Sequence, residues 1–224
     1  MTTSSLSSGV HSITATYAGD SSFEPSTSKV FSQTISLNPV TILLTTNANP
    51  SAYGQPVTFS AAVTSSGPTP TGTVTFKNGT APLGVATLNA QGSATLTTLT
   101  LGAGVYSITV AYSGDASSAA SASAALNQTV NAAATATQLV SSVNPAALGE
   151  SVAFTAIVRS ATAFATGSVT FTAGSIVLGT ATLANGSAKL SVATLPAGAT
   201  MVTATYAGSA NVAGSAASMN QSVE

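Results

Sequence analysis

The sequence has very few ionisable side chains and no cysteine. Of its 224 residues, four are Lys or Arg, five are Asp or Glu, and one is His. A soluble domain ordinarily carries about a quarter charged residues, so this chain has few of the paired acids and bases that general acid–base catalysis requires. Without cysteine it forms neither a disulfide nor a thiolate metal site. We therefore expect no enzyme and no cofactor.

The few charges also provide no electropositive surface that could bind a nucleic acid or an anionic membrane. A formal net charge of −1 provides no basic patch for a nucleic-acid backbone or for an anionic membrane surface. The mean hydropathy is positive, yet no run approaches the roughly 18–20 apolar residues of a membrane-spanning helix. The opening MTTSSLSSGVHS has neither the basic region nor the apolar core of a signal peptide. The sequence predicts no nucleic-acid partner and no membrane insertion for this segment.

One ten-residue stretch occurs three times. HSITATYAGD at 11–20 returns as YSITVAYSGD at 106–115 and as TMVTATYAGS at 200–209, and successive copies lie 95 and 94 residues apart. A step of this length exceeds the roughly 20–50 residues of a solenoid repeat and suits an independent domain. The chain is therefore expected to consist of modules in tandem.

The step places the module boundaries. Complete modules are predicted at 37–131 and 132–224, whereas residues 1–36 match only the last third of a module. The chain is thus expected to begin inside a domain. That partial module would lack the strands that cover Ile13 and Tyr17, so we expect the segment to be mobile or to be covered by a neighbour.

Several segments alternate between apolar and polar residues at period two, as strands with one buried face do. In PVTFSAAVT, for example, Val57, Phe59 and Val63 point to one face. Within the first complete module, strands are predicted at 56–64, 72–77, 106–112, 40–47, 82–88, 92–99 and 121–130. About seven short strands in a module of this size predict an all-β fold, namely tandem immunoglobulin-like Greek-key β-sandwiches.

Two local features refine this prediction. Asn78-Gly79 is expected to form a type I′ hairpin turn, and Asn185 begins a second Asn-Gly turn. Tyr106 stands where a tyrosine corner occurs in such sandwiches, with its hydroxyl bonded to backbone across the corner. His11 and Thr200 occupy the same position in the other copies. The alternative is a Tyr106 ring that only packs.

These motifs resemble those of a known family. They are NP-x3-GQ-x-VTF at 49–59, GTVTF at 72–76, LG-x-ATL at 83–88 and G-x-Y-S-I-T-x-x-Y-S-G-D at 104–115. The sequence is similar to the bacterial immunoglobulin-like repeats of group 3, which occur in tandem in very large exported and surface proteins. The resemblance implies an extracellular or cell-surface location, a spacer or adhesive role, and neighbouring modules as partners. It carries over no catalytic residue and no cofactor.

Three carboxylates are weak calcium candidates. Asp20 and Glu24 lie in the loop GDSSFEP, and Asp115 lies in the corresponding loop GDASSAA. Calcium usually takes six to eight oxygen ligands, several of them from carboxylates. The favoured alternative is that each Asp bonds the backbone of its own turn. Ser209 replaces this Asp in the third copy, and Ala119 stands at the position of Glu24.

Two aromatic residues outside the core pattern are weak candidates for contact with a glycan or protein. Tyr53 and Phe164 each lie in a predicted loop, but Leu148 and Thr69 occupy their positions in the other module. Isolated exposed aromatics are common on protein surfaces. The Thr-rich stretch TLTTLTL at 95–101 also raises ice binding as a minor alternative.

Two hypotheses for function remain after these considerations. The first is a non-catalytic structural spacer or stalk segment of a larger bacterial surface or secreted protein, with a role in adhesion. The second is an immunoglobulin-like module that binds a surface glycan or a protein through its loops. The fold allows both, because one sandwich serves many purposes.

Overall fold

The computed structural model describes residues 2–3 and 5–224. All regular elements in this part of the chain are β-strands, which confirms the predicted all-β class. No helix among the described residues has the length and apolar character needed to traverse a bilayer.

Six of the seven strands predicted in the first complete module lie within two residues of their predicted bounds, whereas the one predicted at 121–130 is divided into two strands. The first 36 residues contain β1 (Gly9–Ile13), β2 (Thr16–Tyr17), β3 (Ser26–Thr27) and β4 (Phe31–Ile35). Residues 37–131 contain β5 (Val40–Thr46), β6 (Ser51–Ala52), β7 (Val57–Ser65), β8 (Thr73–Asn78), β9 (Ala81–Thr87), β10 (Ser93–Thr98), β11 (Gly104–Tyr112), β12 (Ser121–Ala122) and β13 (Leu126–Asn131). Residues 132–224 contain β14 (Thr135–Ser141), β15 (Val152–Ser160), β16 (Ser168–Ala173), β17 (Ile176–Thr182), β18 (Ser187–Val192), β19 (Gly198–Tyr206) and β20 (Ser215–Val223).

By its contacts the chain divides into two compact units. The first contains residues up to Asn47 together with Thr58–Leu96 and Ser107–Asn127. The second contains Ala48–Val57, Thr97–Tyr106 and Gln128–Glu224. The second unit thus combines 128–224 with two further segments of the preceding repeat, each of which contains a loop.

Residues 132–224 form a two-layer sandwich in the second unit. One sheet has the order β14-β15-β18 and the other the order β17-β16-β19-β20. Alternating side chains of both sheets meet in one core, in which Phe154, Phe171 and Val202 are fully buried. Burial of each such side chain contributes about 1.5–3 kcal/mol. The period-two alternation therefore provides the apolar face that holds the two layers together.

The first unit contains strand pairs of the same kind. The three-stranded sheet β10-β7-β5 is antiparallel where β5 meets β7, and β8 pairs antiparallel with both β9 and β11. Phe59 and Phe76, which the sequence placed on inward faces, are fully buried.

The first 36 residues form two small pairs of strands. β1 pairs antiparallel with β4, and β2 pairs with β3. Ile13 is 41% exposed and Tyr17 is 44% exposed. The structure thus leaves both side chains partly exposed.

The predicted turn at Asn78-Gly79 is wrong by one residue. Asn78 pairs with Ala81, so the loop consists of Gly79 and Thr80, and of the two predicted turn residues only Gly79 has a positive φ, of 56°. The register shifts by one residue after Phe76, so two residues close the hairpin where an unshifted ladder would leave three. The second Asn-Gly turn is as predicted, because Asn185 has φ 51° and the glycine that follows it φ 77°.

Candidate functional site

Asp115 uses both carboxylate oxygens within its own module. Its Oδ1 accepts bonds from the backbone N–H groups of Ser117 and Ser118 at 2.8 and 2.7 Å. Its Oδ2 accepts from the backbone N–H and the hydroxyl of Thr71 at 2.9 and 3.0 Å. These donors, the Thr71 N–H first among them, hold the pKa of the carboxyl well below its usual range. The side chain therefore organises its loop and fastens it to Thr71.

Asp20 has the corresponding arrangement in the partial module. Its Oδ2 accepts a 2.6 Å bond from the Tyr17 hydroxyl, and its Oδ1 accepts from the N–H groups of Ser22 and Phe23. The Tyr17 bond is the largest cause of the lowered pKa of this carboxyl. Glu24 is exposed nearby in sequence. Within the described part of the chain, no three His, Cys, Asp or Glu side chains are grouped so that they could hold a metal ion.

The third copy shows that the turn itself does not depend on Asp. The backbone N–H of Ser209 donates to the Val212 carbonyl at 2.7 Å, as the N–H of Asp115 does to the Ser118 carbonyl at 3.0 Å. The Tyr206 hydroxyl donates to the Thr166 carbonyl at 3.0 Å, as the Tyr112 hydroxyl does to the Thr71 carbonyl at 2.9 Å. The carboxylate therefore adds hydrogen bonds to a turn that the backbone already forms.

The tyrosine corner is present. Tyr106 donates its hydroxyl to the Gly102 carbonyl, four residues upstream, at 3.0 Å. His11, at the matching position, makes the same connection from Nε2 to the Ser7 carbonyl at 2.7 Å. Since a carbonyl oxygen only accepts, Nε2 of His11 must carry the proton. Sequence reasoning treated His11 as a departure from the pattern and missed this equivalence.

The two aromatic binding candidates have different surroundings. Phe164 is 94% exposed and lines an open groove of about 480 Å³ with its own loop, Asn185 and Gly186. Tyr53 is half-buried and packs against the core of residues 132–224. The structure therefore gives Tyr53 a packing role and leaves Phe164 as an exposed aromatic beside a groove.

The packing of Tyr53 belongs to a close approach within the second compact unit. A Cβ on the next residue, Gly54, would overlap the carbonyl oxygen of Thr162, whereas the matching Gly149 has open space around it at the same φ of 81°. Asn211 adds a hydrogen bond, because its Oδ1 accepts from the Ala103 N–H at 2.8 Å. These two contacts join the loop regions at 48–57 and 97–106 to residues 132–224.

Comparison with known proteins identifies the modules. The model of the bacterial Ig-like domain (group 3) family matches residues 44–131 and 139–224. No curated protein matches the chain. The matches together span most of the sequence, in agreement with the motifs that carry the resemblance.

Solved structures with similar folds come from several kinds of protein. A tetra-tandem repeat from the extending region of a large adhesion protein is 20% identical, with 99% of this chain and 58% of that one covered and a TM-score of 0.47. The Yersinia pseudotuberculosis adhesin InvE is 18% identical over 81% of this chain and 58% of its own, with a TM-score of 0.39. The fibronectin(III)-like modules of Clostridium thermocellum CbhA are 19% identical over 81% and 94%, with a TM-score of 0.37. No functional argument follows from similarity at this level, and the family match alone identifies the chain. The chain belongs to the bacterial immunoglobulin-like (group 3) domain family, and two copies of that domain lie in tandem within it.

Proposed function

We propose that this chain is a non-catalytic structural spacer, one segment of the stalk of a larger bacterial surface or secreted protein that serves adhesion. The observation that carries the proposal is the use made of the polar side chains. Both oxygens of Asp115 and Oδ1 of Asp20 accept hydrogen bonds from backbone N–H groups, and Asp20 Oδ2 accepts from the Tyr17 hydroxyl. The hydroxyls of Tyr112 and Tyr206 donate to backbone carbonyls. Under this proposal, carboxylates and hydroxyls of the kind that serve catalysis in enzymes stabilise turns in this chain.

The partners under this proposal are neighbouring modules of the same chain, and the location is the cell surface or the extracellular space. Membership in the bacterial Ig-like family supports both. The low content of Lys and Arg adds support, since four such residues leave few cleavage sites for trypsin-like proteases.

The spacer function can be tested by surface display. An antibody fragment is anchored to encapsulated bacteria either directly or through this chain, and capture of antigen-coated beads is counted. A spacer is expected to raise capture because it carries the fragment through the capsule. Equal capture with and without the chain would contradict the proposal.

Binding of a glycan or protein is the second candidate function, and the groove beside Phe164 is the observation that favours it. Apolar pockets with a few polar groups are the usual form of ligand sites. A glycan array and a pull-down with the whole chain test this candidate. Retention of a ligand that is lost in Phe164→Ala but not in Phe23→Ala, an exposed aromatic outside the groove, would favour it over the spacer.

A further inference from the structure

In the C-terminal domain, the segment that follows β14 lies beside the end of β20 and runs in the same direction. Ala146 forms a parallel bridge with Val223, near the end of β20. The Ala146 N–H donates to the Ser222 carbonyl at 3.0 Å, and the Glu224 N–H returns a bond to the Ala146 carbonyl at 2.9 Å. The Leu148 N–H then donates to the Glu224 carbonyl at 2.8 Å. We call the pairing of 141–148 with 220–224 the C-terminal clamp.

Asn144 extends this clamp with its side chain. Its Nδ2 donates to the Asn220 carbonyl at 2.8 Å, and its Oδ1 accepts from the Ser222 N–H at 2.9 Å. The amide thus takes the place of a backbone peptide and continues the ladder by two bonds.

Gln221 fastens the same two segments from inside the domain. It is fully buried, and its Nε2 donates to the Val143 carbonyl at 2.9 Å. Its Oε1 accepts a 2.6 Å bond from the Ser141 hydroxyl. With these two, at least seven hydrogen bonds cross between the segments of the C-terminal clamp.

A second clamp of the same design joins 48–53 to 128–131. β6 pairs parallel with β13, and the Tyr53 N–H donates to the Asn131 carbonyl at 2.8 Å. Gln128 donates to the Ala48 carbonyl at 2.8 Å, and Asn49 Oδ1 accepts from the Thr129 N–H at 3.0 Å. Each of these bonds has its counterpart at the matching residues of the C-terminal clamp.

The parallel direction determines how a clamp responds to tension. The chain reaches the first clamp segment of each domain through the preceding strand, β5 or β14, and leaves the domain after the second segment. In a parallel pair these two points lie at opposite ends of the ladder. Tension along the chain therefore slides one segment past the other and loads all the cross-bonds together. A pair loaded from one end would instead open bond by bond.

We propose that the two clamps are load-bearing elements, which let this chain transmit mechanical force between the parts of the protein on either side of it. The inference rests on the spacer proposal only for its biological use, since a spacer could hold two parts at a distance without resisting force. Mechanical strength and spacing are therefore measured separately.

Single-molecule force spectroscopy on the full chain, held at its two ends, tests the proposal. Unfolding is expected in two events, one for each domain. Asn144→Ala should lower the mean unfolding force of one event by about a quarter, because two of at least seven cross-bonds are lost. The other event should keep its force.

Ser142→Ala is the matched control. Ser142 lies in the same segment, but its hydroxyl accepts a 2.9 Å bond from the Ala153 N–H of β15. This bond therefore does not cross between the two segments of the clamp. Both variants are expected to lower the denaturant midpoint of the same domain, but only Asn144→Ala should lower its unfolding force markedly. Equal losses of force in the two variants, or no loss in Asn144→Ala, would overturn the proposal.

A change of pulling direction tests the same idea with the clamp bonds intact. The chain has no cysteine, so Leu148→Cys gives one attachment point, and Leu148 is 67% exposed. Force applied between this residue and the C-terminus loads the clamp from one end and should unfold the domain at a lower force than pulling from the two ends. Equal forces in both directions would refute load bearing, whatever the display experiment shows about spacing.

Discussion

Asp115 illustrates how a single carboxylate stabilises a loop through hydrogen bonds from backbone and hydroxyl donors. Its four donors stabilise the ionised form, so the pKa is lower in the folded chain than in the unfolded chain. The resulting stability is fully present above the unfolded pKa of about 4 and is lost as the pH falls towards the lower folded value. The loop should therefore loosen in acid.

We predict that Asp115→Ser lowers the free energy of unfolding at pH 7 by about 1 kcal/mol, since a half-exposed charged acceptor is lost. The backbone turn should persist, as it does around Ser209. Chemical denaturation at several pH values checks this, and the difference from the parent chain should shrink below about pH 4. A difference that is the same at pH 3 and pH 7 would argue against the carboxylate.

Ser209→Asp is the reciprocal change in the C-terminal domain. Thr166 stands where Thr71 does, so the new carboxylate should find the same donors and stabilise that domain by about 1 kcal/mol at pH 7. Denaturation of this variant should also acquire the acid dependence of the parent's first complete domain. No gain in stability at neutral pH would mean that the surroundings of Asp115 are not shared.

At the scale of strands and loops, the sequence was most informative where one face of a strand is buried. The alternation in β7, β8 and β11 predicted their positions, because Phe59, Phe76 and Val110 must all face the core. The two residues of β6 are too short to show a period, so this strand was missed. The clamp was missed with it, although Asn49 is the first residue of the motif NP-x3-GQ-x-VTF at 49–59.

The candidate sites were harder to predict, because their surroundings come from distant parts of the chain. Tyr53 occupies a loop in the sequence, and nothing local indicates that it packs against the core of residues 132–224. The partner of Asp115 was equally hidden, since Thr71 lies 44 residues away. Local patterns predict strands, whereas side-chain partners depend on the completed fold.

The close approach at Gly54 gives a prediction at this scale. Alanine at Gly54 or Gly149 should cost about 1–2 kcal/mol for the positive φ that both share, but only Gly54→Ala adds a clash with Thr162. We expect Gly54→Ala to move the loop at 48–57 away from Thr162. Hydrogen exchange should then be faster at the Ala103 amide, which donates to Asn211.

Gly149→Ala is the control, because its surroundings are open. It should leave exchange at Ala103 unchanged while lowering the stability of its own domain. Equal exchange at Ala103 in the two variants would show that the approach of Gly54 to Thr162 does not hold the loops together.

At the scale of the whole molecule, the chain contains two copies of one family domain, and matching side chains are buried in both copies. Phe76 and Phe171 are both fully buried at matching positions of the two family domains. Polar groups serve the same purposes in each copy, namely the Gln and Asn of the clamps and the tyrosines that bond to backbone carbonyls.

Truncation of one core should affect mainly one domain. Phe171→Ala is expected to lower the free energy of unfolding of the C-terminal domain by about 3–5 kcal/mol, and Phe76→Ala should do the same for the preceding domain. Hydrogen exchange followed by mass spectrometry distinguishes the two, since faster exchange should be concentrated in the domain that carries the substitution. Uniform loss of protection across both domains would indicate a single cooperative unit.

The central claim is that two separately folded domains in series hold the parts on either side of this chain apart and transmit force between them. Its most direct test is the extension record of a single molecule pulled from its ends. We predict two unfolding steps, each releasing roughly 300 Å of chain, as expected for the 88 and 86 residues of the matched domains at about 3.6 Å per residue. One step of about twice that length, or extension without measurable resistance, would contradict the account.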